Sequence, residues 1–190
     1  MNYVEYKIGK SRLIIIEGDI TKQVTYAIVN AANNELAPGG GVSGAIHRVA
    51  GPLLWEACKK LGGCLTGEAK LTKGYNLPAK FVIHTVGPVY SGKPKDKVNL
   101  ANAYRNSLEL ALDHNIKSVS FPSISTGIYG YPVKEASEIA ISTIIEFLEE
   151  YPKIERVRMV LHNMEDFTVY VSTARGILIK KGLLKPETLV

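Results

Sequence analysis

Two glycine-rich segments carry the residue types best suited to bind an anion. The first glycine loop, residues 39–44, reads GGGVSG, and the second glycine loop, residues 123–130, reads SISTGIYG. Such loops present backbone N–H groups that no side chain shields, and these groups bind anions where a loop leads into a helix. Adjacent glycines cost up to ~1 kcal/mol each relative to alanine in regular structure. We therefore expect close approach of the backbone to a ligand, with a merely flexible turn as the alternative.

The pattern of the loops favours a diphosphate held from two sides. Residues 39–44 formally match G-x-G-x-x-G, but eight residues, 31–38, separate them from the predicted strand that ends at Asn30. No acidic residue is placed as a ribose ligand about 20 positions further on, and the triphosphatase pattern G-x-x-x-x-G-K-S/T is absent. We therefore predict neither a dehydrogenase nor a triphosphatase, and a diphosphate clamped between two loops remains.

The histidines and cysteines form no pattern of a metal or redox centre. His47 and His84 each lie in an apolar segment, which favours hydrogen-bonded structural histidines over catalytic ones. Cys58 and Cys64 have five residues between them, a spacing that fits neither a C-x-x-C redox pair nor a zinc knuckle. We expect reduced thiols in a cytoplasmic protein, with no metal site and no cofactor.

A mainly parallel sheet covered by helices is the architecture that brings such loops together. Residues 3–8 and 12–17 predict a hairpin around a Gly9-Lys10-Ser11 turn. Further strands are predicted in TYAIVN, EAKLTKG, KFVIHTVGP, SVSFP and RVRMVLH, most of them separated by segments with helical periodicity. This alternation predicts a three-layer α/β/α sandwich with a mixed, mainly parallel sheet and an N-terminal hairpin. Ligands bind beyond the carboxyl ends of such strands, where both glycine loops fall.

Length and composition are those of a folded globular chain. The 190 residues are 46% hydrophobic and 22% charged, which predicts one domain spanning residues 1–190. The N-terminus lacks the layout of a secretory signal, and no apolar run approaches the ~20 residues of a membrane helix, so we expect no membrane partner. The net charge of +5 alone favours nucleic acid, which we do not expect as a partner. Only YSGKPKDK and KPETLV are predicted to be poorly ordered.

Between residues 17 and 132 the chain carries six motifs in a distinctive order: EGDIT, AIVNAAN, GGGV, GAIHRVAGP, TGEAKLTKGYNLPAKFVIHTVGP and FPSISTGIYGYP. In this order and spacing they resemble the macro domain family, most closely its branch of mono-ADP-ribosyl hydrolases and O-acetyl-ADP-ribose deacetylases. The resemblance implies an α/β/α fold that binds ADP-ribose. In many members it also implies hydrolysis, so the implied partners are mono-ADP-ribosylated proteins or O-acetyl-ADP-ribose.

The resemblance assigns ligand-binding roles to individual residues. Asp19 would accept a hydrogen bond from the adenine amino group beside the Ile20 backbone, with a helix-capping aspartate as the alternative, and His162 would stack on adenine. Asn33 would hold the hydroxyls of the distal ribose, while Asn30 would tie down its own loop. The diphosphate and distal ribose would lie between Gly40, Gly41 and Val42 on one side and Ser125, Thr126, Gly127, Ile128 and Tyr129 on the other.

At one position this chain differs from the hydrolase branch that it resembles. That branch has an aspartate in the motif GGGVDGAIH, and this chain has Ser43 in its place. The aspartate of that branch orients or activates the attacking water, and a hydroxyl cannot act as a general base near neutral pH without a partner base. The resemblance leaves Asn33, Ser43 and Tyr129 as the predicted catalytic residues of a metal-free hydrolysis, with a core aromatic as the alternative for Tyr129. A water held by a substrate phosphate and Asn33 could still attack the distal ribose, so the chain would still hydrolyse its substrate. The alternative is a protein that binds ADP-ribose without hydrolysing it.

Overall fold

The computed structural model describes residues 1–186, in which seven strands form one sheet with helices on both faces. The strands are β1 (Tyr3–Ile8), β2 (Ser11–Glu17), β3 (Ala27–Ala31), β4 (Ala69–Lys73), β5 (Phe81–Thr85), β6 (Ser118–Phe121) and β7 (Arg156–Leu161). The helices are α1 (Gly41–Ala50), α2 (Pro52–Lys59), α3 (Pro94–Asp113), α4 (Val133–Glu150) and α5 (Met164–Lys180), and a 3-10 turn spans Ile20–Lys22. None of these helices is long and apolar enough to cross a membrane.

The sheet has a parallel centre and two antiparallel edges. The strand order is β1-β2-β7-β6-β3-β5-β4. The five strands from β2 to β5 run parallel, whereas β1 pairs with β2 and β4 pairs with β5 in the antiparallel sense. This arrangement confirms the predicted α/β/α sandwich, its mixed and mainly parallel sheet, and its N-terminal hairpin.

Alternate side chains of the strands pack into two separate hydrophobic cores, one on each face of the sheet. In β2, Leu13 and Ile15 pack on one face of the sheet beneath α3, α4 and α5. Ile14 and Ile16 face the other side, which α1, α2 and the 3-10 turn cover. Successive residues of a strand point to opposite faces, so the unbroken apolar run of β2 reflects burial on both sides.

Neighbouring parallel strands bring the two glycine loops to the same edge of the sheet. β3 pairs with β6 in parallel, with Ala27 opposite Val119, so the loops that follow these strands leave the sheet side by side. α1 begins at Gly41. The third glycine of the first loop therefore already belongs to the helix, and the loop is also a helix amino terminus.

The prediction that YSGKPKDK is poorly ordered was wrong. The Asp96 carboxylate accepts hydrogen bonds from the Ser91 backbone N–H at 2.7 Å and from the Ser91 hydroxyl at 2.9 Å. Pro94 opens α3, a position at which its missing N–H costs nothing. These contacts fix the segment, and they involve residues five apart that composition does not single out. For the other segment, KPETLV, residues 187–190 lie outside the described residues.

Candidate functional site

A cleft of about 210 Å³ lies at the carboxyl edge of the sheet, between the two glycine loops. Its lining includes most of the predicted site residues: Asn33, Gly40, Gly41, Val42, Ser43, Ser125, Gly127, Ile128 and Tyr129. Thr126 lies in the same loop but outside the lining, and Asp19, Ile20 and His162 lie beyond it, beside β2 and β7. The structure thus brings together the residues predicted to hold a diphosphate and the distal ribose.

A larger groove of about 1070 Å³ lies elsewhere, over the outer surface of α4 between α3 and α5. Its walls carry charges of both signs, including Lys97, Lys134, Glu138 and Glu146, and none of the predicted site residues lines it. We take the smaller cleft as the candidate site, because most of the predicted residues and the uncapped amino terminus of α1 lie there.

The first glycine loop presents the open amino terminus of α1 to the cleft. Gly40 precedes the first turn, and no side chain caps it. Gly44 has no space for a side chain, because a Cβ atom there would collide with the carbonyl oxygen of Gly39. The helix consequently packs against its own loop, and the N–H groups of the first turn are available as donors for an anion.

The second glycine loop is strained and firmly held. Ser125 has a φ of +68°, a conformation that costs a non-glycine residue about 1–2 kcal/mol. Its carbonyl accepts a hydrogen bond from the Tyr131 N–H at 2.9 Å. A Cβ atom on Gly87 would collide with Ser125 Oγ and with Ile124 Cγ2, so only glycine fits beneath this loop. Backbone strain that the surroundings maintain is typical of ligand sites.

The tip of the second glycine loop reaches across the cleft towards the first. Ile128 is 89% exposed, and its Cδ1 atom lies 3.7 Å from the position that a Cβ atom would occupy on Gly40. Tyr129 is half-buried and lines the cleft, so the alternative of a core aromatic is wrong. Gly127 has open space around its Cβ position. The loops therefore meet at Ile128 and leave room on either side of it.

Two residues that line the cleft, one from each glycine loop, carry buried hydroxyl groups without a hydrogen-bond partner. Ser43 lies in the first turn of α1 and Ser125 lies in the second glycine loop, and both residues line the cleft. They are 5% and 6% exposed, and neither Oγ atom has a partner within the described protein. A buried polar group without a partner costs about 1–3 kcal/mol. Each of the two glycine loops therefore keeps one polar atom unsatisfied beside the cleft.

Asn33 closes its own loop as well as lining the cleft. Its Oδ1 atom accepts a hydrogen bond from the Ala37 N–H, and its Nδ2 atom donates to the Ala37 carbonyl, both at 3.0 Å. An amide has a second hydrogen and further lone pairs, so the side chain keeps capacity for a ligand. Asn33 Nδ2 and Ser43 Oγ lie 3.5 Å and 3.9 Å from the same point, the Cβ position of Gly39. Two of the three predicted catalytic residues, Asn33 and Ser43, are therefore neighbours.

Asp19 caps the 3-10 turn that follows β2. Its Oδ1 atom accepts hydrogen bonds from the Thr21 N–H at 2.9 Å and from the Thr21 hydroxyl at 2.7 Å. The hydroxyl bond is the main reason that the pKa of Asp19 lies below its ordinary value, so the side chain is an acceptor at neutral pH. Both bonds go to Oδ1, and the residue is exposed. Asp19 is thus a capping residue, as the alternative interpretation held. Capping uses only Oδ1, so the lone pairs of Oδ2 remain available to a ligand.

A hydrogen-bonded chain beneath Asp19 was not foreseen. Arg158 of β7 donates to Gln23 Oε1 at 3.0 Å, and Gln23 Nε2 donates to the Asp19 carbonyl at 3.0 Å. The Gly18 N–H also donates to the Leu161 carbonyl at 2.8 Å, which brings this turn beside exposed His162. Gln23 and Arg158 are 135 residues apart, so no local sequence pattern could have revealed their contact.

His84 and Asn30 tie neighbouring strands together. Asn30 Nδ2 lies 3.1 Å from His84 Nδ1, and Thr72 Oγ1 lies 2.8 Å from His84 Nε2. Burial, with a smaller contribution from the nearby His47, lowers the pKa of His84 to about 3, so the ring is neutral. The prediction of a structural histidine is confirmed for His84. The expectation that Asn30 ties down its loop was wrong, because its amide bonds to β5.

For His47 the same expectation stays a prediction. It lies on α1 and is 8% exposed, yet its Nε2 atom has no hydrogen-bond partner within the described protein. Burial lowers its pKa, so the imidazole is neutral at physiological pH. His47 therefore has an unused buried nitrogen directly behind the first glycine loop.

The two cysteines are buried and unpaired. Burial raises the pKa of Cys58 to about 11 and also raises the pKa of Cys64, so both remain thiols at neutral pH. A protonated thiol is a poor nucleophile and a poor metal ligand. Within residues 1–186, no group of three or more His, Cys, Asp or Glu side chains is arranged to hold a metal ion.

Comparison with known proteins identifies the family. The sequence profile described as Macro domain matches residues 29–140. A macro domain-containing protein of Chlorobaculum tepidum is 58% identical over 156 residues, which are 82% of this chain and 91% of that protein. The chain belongs to the macro domain family. The ADP-ribose glycohydrolase MACROD2 of Xenopus laevis is 52% identical over 169 residues, which are 87% of this chain but only 40% of that relative's length.

Solved structures of other macro domains have the same fold. The Oceanobacillus iheyensis macrodomain with ADP is 44% identical, has a TM-score of 0.91, and covers 94% of this chain and 98% of its own. The Trypanosoma brucei macrodomain in complex with ADP-ribose is 43% identical with a TM-score of 0.81, and covers 84% of this chain and 68% of its own. The α/β/α architecture deduced from the strand pattern is therefore the macro domain fold.

Proposed function

We propose that residues 1–190 form a single macro domain that binds ADP-ribose and hydrolyses mono-ADP-ribose from modified proteins. The observation that carries this proposal is the cleft between the two glycine loops, which presents the uncapped amino terminus of α1. A diphosphate supplies the negative charge and the acceptor oxygen atoms that the N–H groups of a helix amino terminus bind. The similarity to proteins named ADP-ribose glycohydrolases and to macrodomains with ADP or ADP-ribose supports the same ligand.

The proposed ligand extends from the 3-10 turn to the first glycine loop. Asp19 Oδ2 accepts from the adenine amino group, the Ile20 backbone faces the ring, and His162 stacks on it. The diphosphate lies between two sets of residues, Gly40, Gly41 and Val42 on one wall and Ser125, Thr126, Gly127 and Ile128 on the other. The distal ribose lies between Asn33 and the ring of Tyr129, beside Ser43.

The proposed reaction is water attack at C1″ of the distal ribose. The bond from the water oxygen to C1″ forms as the bond from C1″ to the carboxylate oxygen of the modified side chain breaks, and that carboxylate leaves with the electron pair. An ordinary Glu carboxyl has a pKa of about 4.3, so its carboxylate needs no general acid to leave. The chain has to orient the water and to accept one proton. The diphosphate charge stabilises the oxocarbenium-like transition state.

O-acetyl-ADP-ribose is the second proposed substrate, because the same cleft would hold its nucleotide part and expose its ester to water. We further propose that the protein acts in the cytoplasm, where Cys58 and Cys64 stay reduced. A reader that binds ADP-ribose without turnover is the second candidate function. Ser43 favours it, because a hydroxyl without a base does not activate water.

Chromatography of ADP-ribose released from a protein that is mono-ADP-ribosylated on glutamate tests the proposal. We expect slow release by the wild-type protein and none by Gly127→Glu, which obstructs the cleft. Equal release of ADP-ribose by the wild-type protein and by a folded Gly127→Glu variant would contradict the assignment of the site to this cleft. Tight binding of ADP-ribose without release would leave the reader as the function.

A further inference from the structure

The turn that carries Asp19 is tied to β7 by a chain of two side chains, Gln23 and Arg158. Arg158 Nη1 donates to Gln23 Oε1 at 3.0 Å. Gln23 Nε2 donates in turn to the backbone carbonyl of Asp19, also at 3.0 Å. Gln23 is 8% exposed and Arg158 is half-buried, whereas Asp19 is exposed. The chain therefore links the residue proposed to bind the adenine amino group to a strand in the parallel centre of the sheet.

Asp19 is held at two levels, and only one of them is local. Within the turn, the Thr21 N–H and the Thr21 hydroxyl fix Asp19 Oδ1. These bonds set the side chain relative to the turn, but they do not set the turn relative to the sheet. The link from Gln23 to Arg158 does so, because it joins the turn to a strand 135 residues away in the sequence. Loss of this link would leave the cap of Asp19 intact and free the turn to shift.

β7 also positions the second residue proposed to contact adenine. His162 follows directly after this strand, and the Gly18 N–H donates to the Leu161 carbonyl at 2.8 Å. The strand thus holds the turn at two points, by this backbone bond beside His162 and by Arg158 three residues earlier. A single bond permits the turn to rotate about it, whereas two bonds fix the Asp19 carboxylate relative to His162.

The stability of the fold is a poor explanation for Arg158. Its Nε atom is buried and has no hydrogen-bond partner within residues 1–186. Burying a charged group costs free energy unless all its polar atoms are bonded, and replacing such a group by an apolar residue of similar size is often neutral or stabilising. Groups of this kind are best explained where they hold one conformation against alternatives.

We propose that Arg158, acting through Gln23, is a positioning residue for base selectivity, because it keeps the Asp19 carboxylate opposite C6 of the purine. The inference rests on the proposed binding of ADP-ribose. Adenine carries an amino group at C6, which donates to Asp19 Oδ2. Hypoxanthine carries an oxygen atom there, which a fixed carboxylate repels. A turn without the link shifts away from C6, so it loses the attraction to adenine and relieves the repulsion of hypoxanthine.

The test is calorimetric titration of Arg158→Met with ADP-ribose and with its hypoxanthine analogue, inosine diphosphate ribose. Methionine keeps an unbranched apolar stem and removes the donor. We expect the Kd of ADP-ribose to rise about fivefold, the effect of about one hydrogen bond, and the Kd of the analogue to stay equal or to fall. The selectivity for adenine should therefore fall at least about fivefold. Arg158→Lys keeps a donor for Gln23 and should restore part of the selectivity.

Two further variants check the route of the effect. Gln23→Met should lower the selectivity as much as Arg158→Met does, and the combination of the two should lower it no further. Arg156→Met is the matched control, because Arg156 is exposed and lies two residues earlier in the same strand. It removes the same charge without touching the turn, so we expect unchanged selectivity. Ile20 of the turn packs in the core beneath α1, so we expect the variants to fold, which thermal unfolding checks.

The Asp19→Ala background separates positioning from a general loss of structure. No carboxylate remains there to be positioned, so Arg158→Met should change the selectivity less than about 1.5-fold. An equal fall of selectivity in both backgrounds, or an equal rise of both Kd values in the wild-type background, would overturn the positioning role. Unchanged selectivity of a folded Arg158→Met protein that binds ADP-ribose would overturn the role of Arg158 alone. No binding of ADP-ribose by the wild-type protein would remove the proposed function as well.

Discussion

Replacing Gly127 by glutamate tests whether the cleft holds a negatively charged ligand. Gly127 is exposed, its backbone does not adopt a positive φ, and its Cβ position has no atom within 4 Å. The variant should therefore fold normally and extend its carboxylate into the space between the loops. Gly41 is a poorer choice for this purpose, because its φ of +56° would strain any side chain.

The magnitude follows from charge repulsion at short range. Two like charges 4 Å apart near a protein surface repel by about 4 kcal/mol, and screening at this exposed position reduces the effect to roughly 2–4 kcal/mol. Calorimetric titration with ADP-ribose should thus show an affinity about 30- to 1000-fold weaker than wild type. Gly127→Gln has nearly the same volume without the charge, so it should lose clearly less affinity.

Gly176→Glu is the matched control for an added carboxylate. Gly176 lies in α5, its φ is not positive, and its Cβ position is also free of atoms within 4 Å. It is remote from the cleft, so we expect unchanged affinity for ADP-ribose and a gain of stability of up to about 1 kcal/mol from helix propensity. Equal affinities of the Gly127→Glu and wild-type proteins, both folded, would refute the idea that a diphosphate occupies this space.

Three further predictions concern specificity, rate and pH. Asp19→Ala should weaken ADP-ribose binding by about 1–3 kcal/mol and reduce the preference for adenine over hypoxanthine; unchanged discrimination in calorimetry would leave Asp19 with only its capping role. Ser43→Asp should raise kcat about tenfold, or about 1.4 kcal/mol of barrier, with little change in ADP-ribose affinity, because the carboxylate acts in the transition state; turnover that Ser43→Asp leaves unchanged and Asn33→Ala abolishes would show that Asn33 and the substrate phosphate hold the water. The pKa of His84 is about 3 in the folded state against about 6.5 in the unfolded chain, so its contribution, up to about 5 kcal/mol, is fully present above pH 6.5 and is lost as the pH falls towards 3. Denaturant titrations that gave the same free energy of unfolding at pH 7 and pH 4.5 would contradict the neutral buried His84.

The fold was predictable because its signals are local. The hairpin turn, the apolar strands and the helical periodicities each occupy a short window, and the alternation of strands and helices then leaves few topologies. The position of the two glycine loops at one edge follows from the parallel pairing of β3 with β6.

The chemistry of the site was predictable only in part, because much of it depends on contacts between distant residues. Ser43 was found because it departs from a motif that the chain otherwise resembles. The unpartnered state of its hydroxyl, the collision that requires glycine at Gly87, and the link from Arg158 to Gln23 depend on tertiary packing. Asn33 shows the same limit, since its bonds to Ala37 are visible only in the folded loop.

Calorimetric titration of the wild-type protein with ADP-ribose and with AMP tests the central claim most directly. The proposed contacts of the two glycine loops with the diphosphate, and of Asn33 and Tyr129 with the distal ribose, predict a Kd for ADP-ribose in the micromolar range, about −8 kcal/mol. AMP lacks the second phosphate and the distal ribose, so it should bind at least about 30-fold more weakly, a difference of roughly 2 kcal/mol. Equal affinities for the two ligands, or no binding of ADP-ribose, would contradict the account.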